Sequence, residues 1–315
     1  MIQHVEHFFK KQESGSFFSK DRKEISMQCR LRREEKIAYK MVLPYVVAIL
    51  FLVVVLLSAN IISSFRATDG GFTLRHYTSV VTDDSFPIIL RNTFTWTFFS
   101  VLGQMLLGLI VALLLNNITT GETFFRSLII ILPWGTLDIV AGVMWKWMYN
   151  DLYGVLNDLL LKMGIIKAYI PWLASPNMAM TSVIIANIWK GFVLAAMFFL
   201  ARLKGIPAYM YEVAEIDGAN IFQRFFSVTL PQLRTVLIST LMLVIIWTIN
   251  YFPLIYIMTG GGPGNGTETL VTYIYKISFR FLKYGDAAAL SNILFLFILI
   301  IVGAFMFWIN KEEVE

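Results

Sequence analysis

The sequence predicts an all-α integral membrane protein with six transmembrane helices. Three observations predict it. Of 315 residues, 57% are hydrophobic and only 15% are charged, too few polar groups to clothe a soluble domain of that length. The apolar residues gather in runs such as Val42 to Ile62 and Leu290 to Ile309, each near the ~20 residues that a helix needs to cross the hydrocarbon layer. The runs are continuous and do not alternate apolar with polar, which implies helices and not barrel strands.

The expected spans are roughly 41–63, 89–115, 125–148, 178–201, 234–258 and 286–309. The first begins far from Met1, so it is expected to be retained rather than cleaved as a signal peptide. With the N-terminus placed in the cytoplasm, the inner segments hold sixteen Lys/Arg and the outer segments 64–88, 149–177 and 259–285 hold seven. Positive residues favour the cytoplasmic side, so both termini are expected inside. The chain then divides into a cytoplasmic arm, 1–40, a membrane domain, 41–310, and a cytoplasmic tail, 311–315. The arm carries ten basic and six acidic residues and reads as a solvated tail.

Within this frame, two outer segments look interfacial. In Tyr153–Ile166, Val155, Leu156, Leu159, Leu160 and Met163 share one helical face, with Asn157, Asp158, Leu161 and Lys162 opposite. Thr269–Leu282 is similar and rich in Tyr and Phe. Pro133 and Pro253 fall inside spans, where each removes a backbone donor and disturbs the carbonyl one turn earlier. A simple kink or a bend lining a pathway both fit.

Several functions are disfavoured. The single cysteine, Cys29, rules out a disulfide framework or a multi-cysteine metal site, and the three scattered histidines make no metal cluster. The net charge of +5 is explained by basic residues at span ends, which points to the bilayer and not to nucleic acid. The glycine-rich stretch Gly260–Gly266 lacks the Lys-Ser or Lys-Thr of a phosphate-binding loop, so ATP hydrolysis would need another chain. No catalytic constellation stands out. Asp138 is the one carboxylate well inside a span, with Lys146 two turns along the same helix. A proton- or ion-coupled secondary transporter or a channel therefore stays open as a competing class.

The most informative stretch is the loop 203–232, expected on the cytoplasmic side. Pro207 starts a helix, and Gly218 offers the left-handed position that ends it. A second short helix, about Asn220–Val228, is expected to stop before Pro231, because a residue preceding proline avoids the helical region. The pair carries Glu212, Glu215 and Asp217 among Tyr209, Val213, Ile216, Phe222, Phe225 and Phe226. So many aromatics facing the cytosol need a cover, either the protein's own spans or a docked partner.

Glu212-Val213-Ala214, Gly218 and Val228-x-Leu230-Pro231 resemble the EAA loop of binding-protein-dependent ABC importer permeases. The spacing fits the family pattern at every fixed position, with Val213 and Val228 as apolar replacements. Asp217-Gly218-Ala219 is also typical. Thr259 to Tyr275, Phe279, Gly285 to Ser291 and Asn187-Ile-Trp-Lys-Gly191 resemble the carbohydrate branch, in its MalF-like half of a permease pair. The resemblance covers roughly residues 40–310. It implies the type I ABC importer permease fold in a bacterial-type plasma membrane. It also implies a second related permease, two ATPase subunits and an extracytoplasmic solute-binding protein as partners. ATP and Mg would sit on the partner ATPase, with no cofactor or metal on this chain. Glu212 would be a polar contact to the ATPase, Ala214 a close-packing point and Gly218 the turn between coupling helices.

The resemblance also maps the substrate pathway onto Asn187, Lys190, Gly191 and Leu194, and onto Val244, Trp247, Thr248 and Tyr251. Asn and Thr bond sugar hydroxyls and Trp stacks on a sugar face, although the same residues also serve helix packing. Lys190 lies near the centre of its span, where a charge is costly unless it pairs or faces water. It is expected either to contact an acidic sugar or to pair with a backbone carbonyl or a carboxylate of the partner permease. Glycerol 3-phosphate and other polyol phosphates remain alternative substrates.

Overall fold

The computed structural model describes residues 39–67, 70–118 and 121–312. The expectations for the arm, including Cys29, His4 and His7, fall outside these residues, as does most of the tail. Residue contacts divide the chain into two units, Met1–Ile62 and Ser63–Glu315. The described part of the first belongs to a single apolar helix, α1 (Tyr39–Phe65), whose last three residues are counted with the second.

The described residues of the second unit are helical apart from turns, loops and one antiparallel bridge between Arg66 and Phe72. Its long helices are α3 (Phe86–Asn117), α7 (Pro176–Lys204), α10 (Leu230–Ile249) and α13 (Tyr284–Glu312). Short helices lie between them: α2 (Arg75–Val81), α4 (Glu122–Gly135), α5 (Asp138–Met148), α6 (Val155–Lys162), α8 (Ala208–Ile216), α9 (Ile221–Arg224), α11 (Pro253–Met258) and α12 (Leu270–Tyr275). Among the described residues, five helices are long and apolar enough to cross a membrane, with everything from α9 to α11 counted together as Ile221–Met258.

The span expected at 125–148 is therefore corrected in form. It is a broken pair, α4 and α5, parted at Thr136 and Leu137, whose ψ angles of 126° and 142° are extended. Pro133 supplies no backbone donor to the last turn of α4, and the helix gives out two residues later. The same happens before Pro253, where Asn250–Phe252 interrupt the helix between α10 and α11. Six apolar segments remain, but two of them are discontinuous.

The core centres on α7. Its Phe192, Ala195, Ala196 and Phe199 pack with Ala112 and Leu115 of α3 and Leu233 of α10. Small residues such as Ala195 and Ala196 let the backbones approach, which is the usual glue of helices in lipid. Nearer the other end of α7, Val183 and Ile184 pack on Trp96, Trp145, Leu254 and Ile255.

Two short segments depart from expectation. The interfacial face over Tyr153–Ile166 shrinks to α6, and Asn157 is not on a solvent face but fully buried. Its amide donates to the Ile170 carbonyl at 3.0 Å, and its oxygen accepts from the Trp172 indole at 2.9 Å, so it pins the following loop. Thr269–Leu282 packs inward through Leu270, Tyr273 and Ile277 against Leu290 and Leu294 of α13. There the Tyr273 hydroxyl donates to Asp83 at 3.1 Å. Burial, with the Asp83 charge beside it, pushes Tyr273 up to about 12. Burial alone would raise Asp83, but hydrogen bonds from Ser85 and Tyr273 and the Lys283 charge hold it below the usual carboxylate range.

The second helix of the 203–232 loop does not stop before Pro231. A π-helical turn, Phe225–Thr229, carries it straight into α10. In that wider turn the Leu230 amide bonds the Phe225 carbonyl five residues back, which makes room for the proline ring.

Candidate functional site

The two helix breaks meet beside α7. Lys190 projects from α7 into the gap between α4 and α5. Its ammonium donates to the Pro133 carbonyl at 3.1 Å and to the Thr136 carbonyl, both at the frayed C-terminal end of α4. It also lies 3.4 Å from the Asp138 carboxylate in the first turn of α5. A cation at a helix C-terminus and an anion at a helix N-terminus each complement the backbone dipoles. Tyr251, in the α10–α11 break, donates its hydroxyl to the same Asp138 oxygen at 2.8 Å. One lysine and one aspartate thus tie both breaks to α7.

Lys190 therefore pairs as one of the two expectations had it, here with two backbone carbonyls and a carboxylate of its own chain. Asp138 pairs with Lys190, 52 residues along the chain, and not with its helix neighbour Lys146. The sequence offered the two charges separately. Nothing local showed that a break would bring them together.

These residues border a cavity of about 250 Å³. Every mapped pathway position lines it: Asn187, Lys190, Gly191 and Leu194 from α7, Val244, Trp247 and Thr248 from α10, and Tyr251. Gln104, Trp134 and Asp138 complete the lining and were missed as site residues. Gln104 left a readable signal, an amide in the middle of an apolar run. Asn250 stays outside, its amide turned back onto the Ile246 carbonyl at 2.8 Å.

The polar lining is ordered from behind. The Gln104 amide donates to the Asn187 carbonyl at 3.2 Å, and Gly191 makes room for it, since a Cβ there would fall 2.4 Å from the Gln104 side chain. The Asn187 amide nitrogen is buried with no hydrogen-bond partner among the described residues. The Trp96 indole fixes the Thr248 carbonyl at 2.9 Å. Trp134 and Trp247 stand exposed at the rim.

At the opposite end of α7, past Gly205, the chain turns into α8. Met210, Tyr211 and Ala214 of α8 pack on the cluster of Leu203, Ile206, Val228 and Leu233. Gly218 adopts φ +78°, and the Ala219 amide caps back onto the Ala214 carbonyl at 2.9 Å, after Asp217 closes α8. Asn220 and Gln223 form a capping box on α9, and Arg224 pairs with Glu215 at 3.0 Å to hold the two helices together. The outer face is left apolar. Ile216 is 85% exposed and Phe222 77%, flanked by Val213 and Phe226, with Glu212 exposed beside them. Leu230 and Pro231 are the first residues of α10, where the π turn runs into it.

Replacing Gly218 by valine is expected to strain this turn by roughly 2 kcal/mol, because a β-branched residue resists a left-handed backbone. Gly218→Asn should be tolerated. Thermal unfolding of each purified variant checks this, with a lower midpoint expected for the valine variant alone.

No protein-family model matches the chain. The trehalose/maltose transport system permease MalF of Thermococcus litoralis is 35% identical over 276 residues, covering 85% of this chain and 91% of that protein. The sulfoquinovosyl glycerol transport permease SmoG of Agrobacterium fabrum is 33% identical over 256 residues, covering 81% and 82%. The sn-glycerol-3-phosphate permease UgpA of the same organism is 32% identical over 258 residues, covering 80% and 85%. Among solved structures, a bacterial ABC transporter involved in importing the acidic polysaccharide alginate superposes with a TM-score of 0.74 at 20% identity, covering 89% of this chain and 96% of that one. At that identity it speaks for the fold. The broken helices, the cavity and the EAA-type loop now have a common setting: the chain belongs to the permeases of carbohydrate-type ABC importers and is a multi-pass membrane protein.

Proposed function

We propose that this chain forms half of the translocation pathway for an uncharged saccharide, with the cavity between Asn187 and Tyr251 as its share of the binding site. The carrying observation is that the mapped positions from α7, α10 and the α10–α11 break converge on one cavity. The buried, unpartnered Asn187 amide offers a donor to a sugar hydroxyl. Trp247 offers a face for a pyranose ring. The one ammonium lining the cavity is committed to Asp138 and two carbonyls, which favours a neutral ligand over a uronate or a phosphate.

In this reading the chain is non-catalytic. A second, related permease supplies the other half of the cavity, and two ATPase subunits carry ATP and Mg. An extracytoplasmic binding protein delivers the sugar, and both termini of this chain lie in the cytoplasm of a bacterial-type cell. The apolar face of Ile216 and Phe222, with Glu212, docks into the ATPase. Because α8 packs on Leu203 and Ile206, a push on α8 is passed to α7, whose other end forms the cavity wall. Domain bounds of 1–40, 41–310 and 311–315, with the loop at 203–232, fit this division of labour.

Two experiments test it. Reporter fusions at residues 218 and 265 are expected to report opposite sides of the membrane, and the same side for both sinks the topology. Proteoliposomes holding the complete importer are expected to accumulate labelled maltose or trehalose in preference to an alginate oligosaccharide or sn-glycerol 3-phosphate. Preference for either anion overturns the neutral-sugar reading.

A further inference from the structure

A second cavity, about 280 Å³, lies between α11 and the end of α12 and shares no lining residue with the first. One side of it is charged. Glu268 is only 1% exposed, yet it lines this cavity and accepts a hydrogen bond from Lys276 at 2.9 Å. Lys276 also reaches the Asn265 side-chain oxygen at 3.3 Å, which leaves a third ammonium hydrogen for another acceptor. A buried carboxylate is expensive to keep, and this one is held between Lys276 and the Gly261 turn. Arg280 lies at the edge with no hydrogen bond or ion pair among the described residues.

The other side is aromatic. Tyr256 and Tyr275 have ring centroids 4.9 Å apart, and Tyr275 lies 5.0 Å from Phe279. Phe252 backs both tyrosines at 4.8 and 4.9 Å. Phe279 is nevertheless 66% exposed, a large ring held open rather than used as core. The backbone is specialised to hold it so. Lys276–Arg280 is a π-helical turn, and Leu282 just beyond adopts φ +56°. Widened turns and left-handed non-glycine residues gather where a side chain must be aimed.

Open aromatic faces beside fixed charges suit a sugar. The C–H face of a pyranose stacks on a ring, while its hydroxyls both donate to a carboxylate and accept from an ammonium or guanidinium. We propose that this cavity is a second saccharide subsite, which holds one sugar ring against Phe279 and Tyr256 with its hydroxyls on Lys276, Glu268 and Arg280. α11 links the two sites, since it starts two residues after Tyr251 and carries Tyr256. In the expected topology this subsite is the outer one, so a saccharide passes it before reaching Asn187. The inference rests on the carbohydrate reading above.

The test is equilibrium dialysis of labelled maltose and trehalose against the complete importer in lipid nanodiscs, without binding protein. Phe279→Leu and Arg280→Gln are expected to weaken binding about fivefold each. Phe279→Tyr should bind as the wild type does, and all three should assemble normally because both side chains are exposed. Unchanged affinity in the leucine variant, no sugar bound by a wild-type importer that transports it, or failed assembly of Phe279→Leu each overturns the subsite. If the wild type transports an alginate oligosaccharide or sn-glycerol 3-phosphate and neither sugar, the neutral-sugar reading itself fails, and the subsite with it.

Discussion

Replacing Lys190 by methionine is expected to abolish uptake and to destabilise the assembled importer by about 3 kcal/mol. Methionine keeps the length of the stem but leaves the Pro133 and Thr136 carbonyls without their donor and Asp138 without its counter-charge. The Lys190 side chain is 12% exposed and that of Asp138 39%, so cavity water softens the loss for the carboxylate but not for the carbonyls. Removing both charges, as Lys190→Met with Asp138→Asn, should recover part of the stability, since an unpaired buried charge is worse than none. Asparagine still accepts from Tyr251. Thermal unfolding of the solubilised complex, read beside uptake, separates the outcomes. A Lys190→Met importer that is stable and transports normally would show that the tie between the helix breaks is dispensable. One that is stable but inactive would move Lys190 from tying the helices to meeting the substrate.

The second large effect concerns the face presented by α8 and α9. Ile216→Ala combined with Phe222→Ala should lower recovery of the ATPase with the purified permease by about a hundredfold, because exposed apolar anchors of this size carry most of the binding energy at such contacts. Insertion and the yield of the chain itself should not change, since neither side chain is buried. Glu212→Ala should have a smaller effect, on docking or on its coupling to transport. Normal ATPase recovery and full uptake by the double variant would mean that this face serves something else.

The fold was legible in the sequence to the extent that it follows from length and hydropathy. The apolar runs that became α3, α7, α10 and α13 are long enough that lipid leaves them no alternative to a helix. The turn at Gly218 was legible because a left-handed position after a helix has a known preferred occupant. The breaks were less so. Pro133 and Pro253 marked where the backbone would lose donors, but whether the helix bends or parts depends on what meets the freed carbonyls, and Lys190 comes from another helix. Pro231 shows the opposite case, where a wider turn absorbs a proline that local rules read as a stop. Asn157 failed as a surface residue because its partners, Ile170 and Trp172, lie on a loop whose path no periodicity reveals. The cavity was foreshadowed position by position by the family resemblance. Of the side chains that order it from behind, Gln104 showed in the sequence as a lone amide in an apolar run, while the role of Trp96 became visible only with the helices packed.

The central claim is that this cavity is a pathway driven from the ATPase side, and accessibility tests it most directly. In the complete importer, with Cys29 replaced by serine, Leu194→Cys places a thiol in the cavity wall. An impermeant thiol reagent is expected to label it from one side of the membrane without nucleotide, and from the other side with ATP trapped and loaded binding protein present. Labelling from the same side in both states, or from neither, would contradict a pathway that ATP opens alternately.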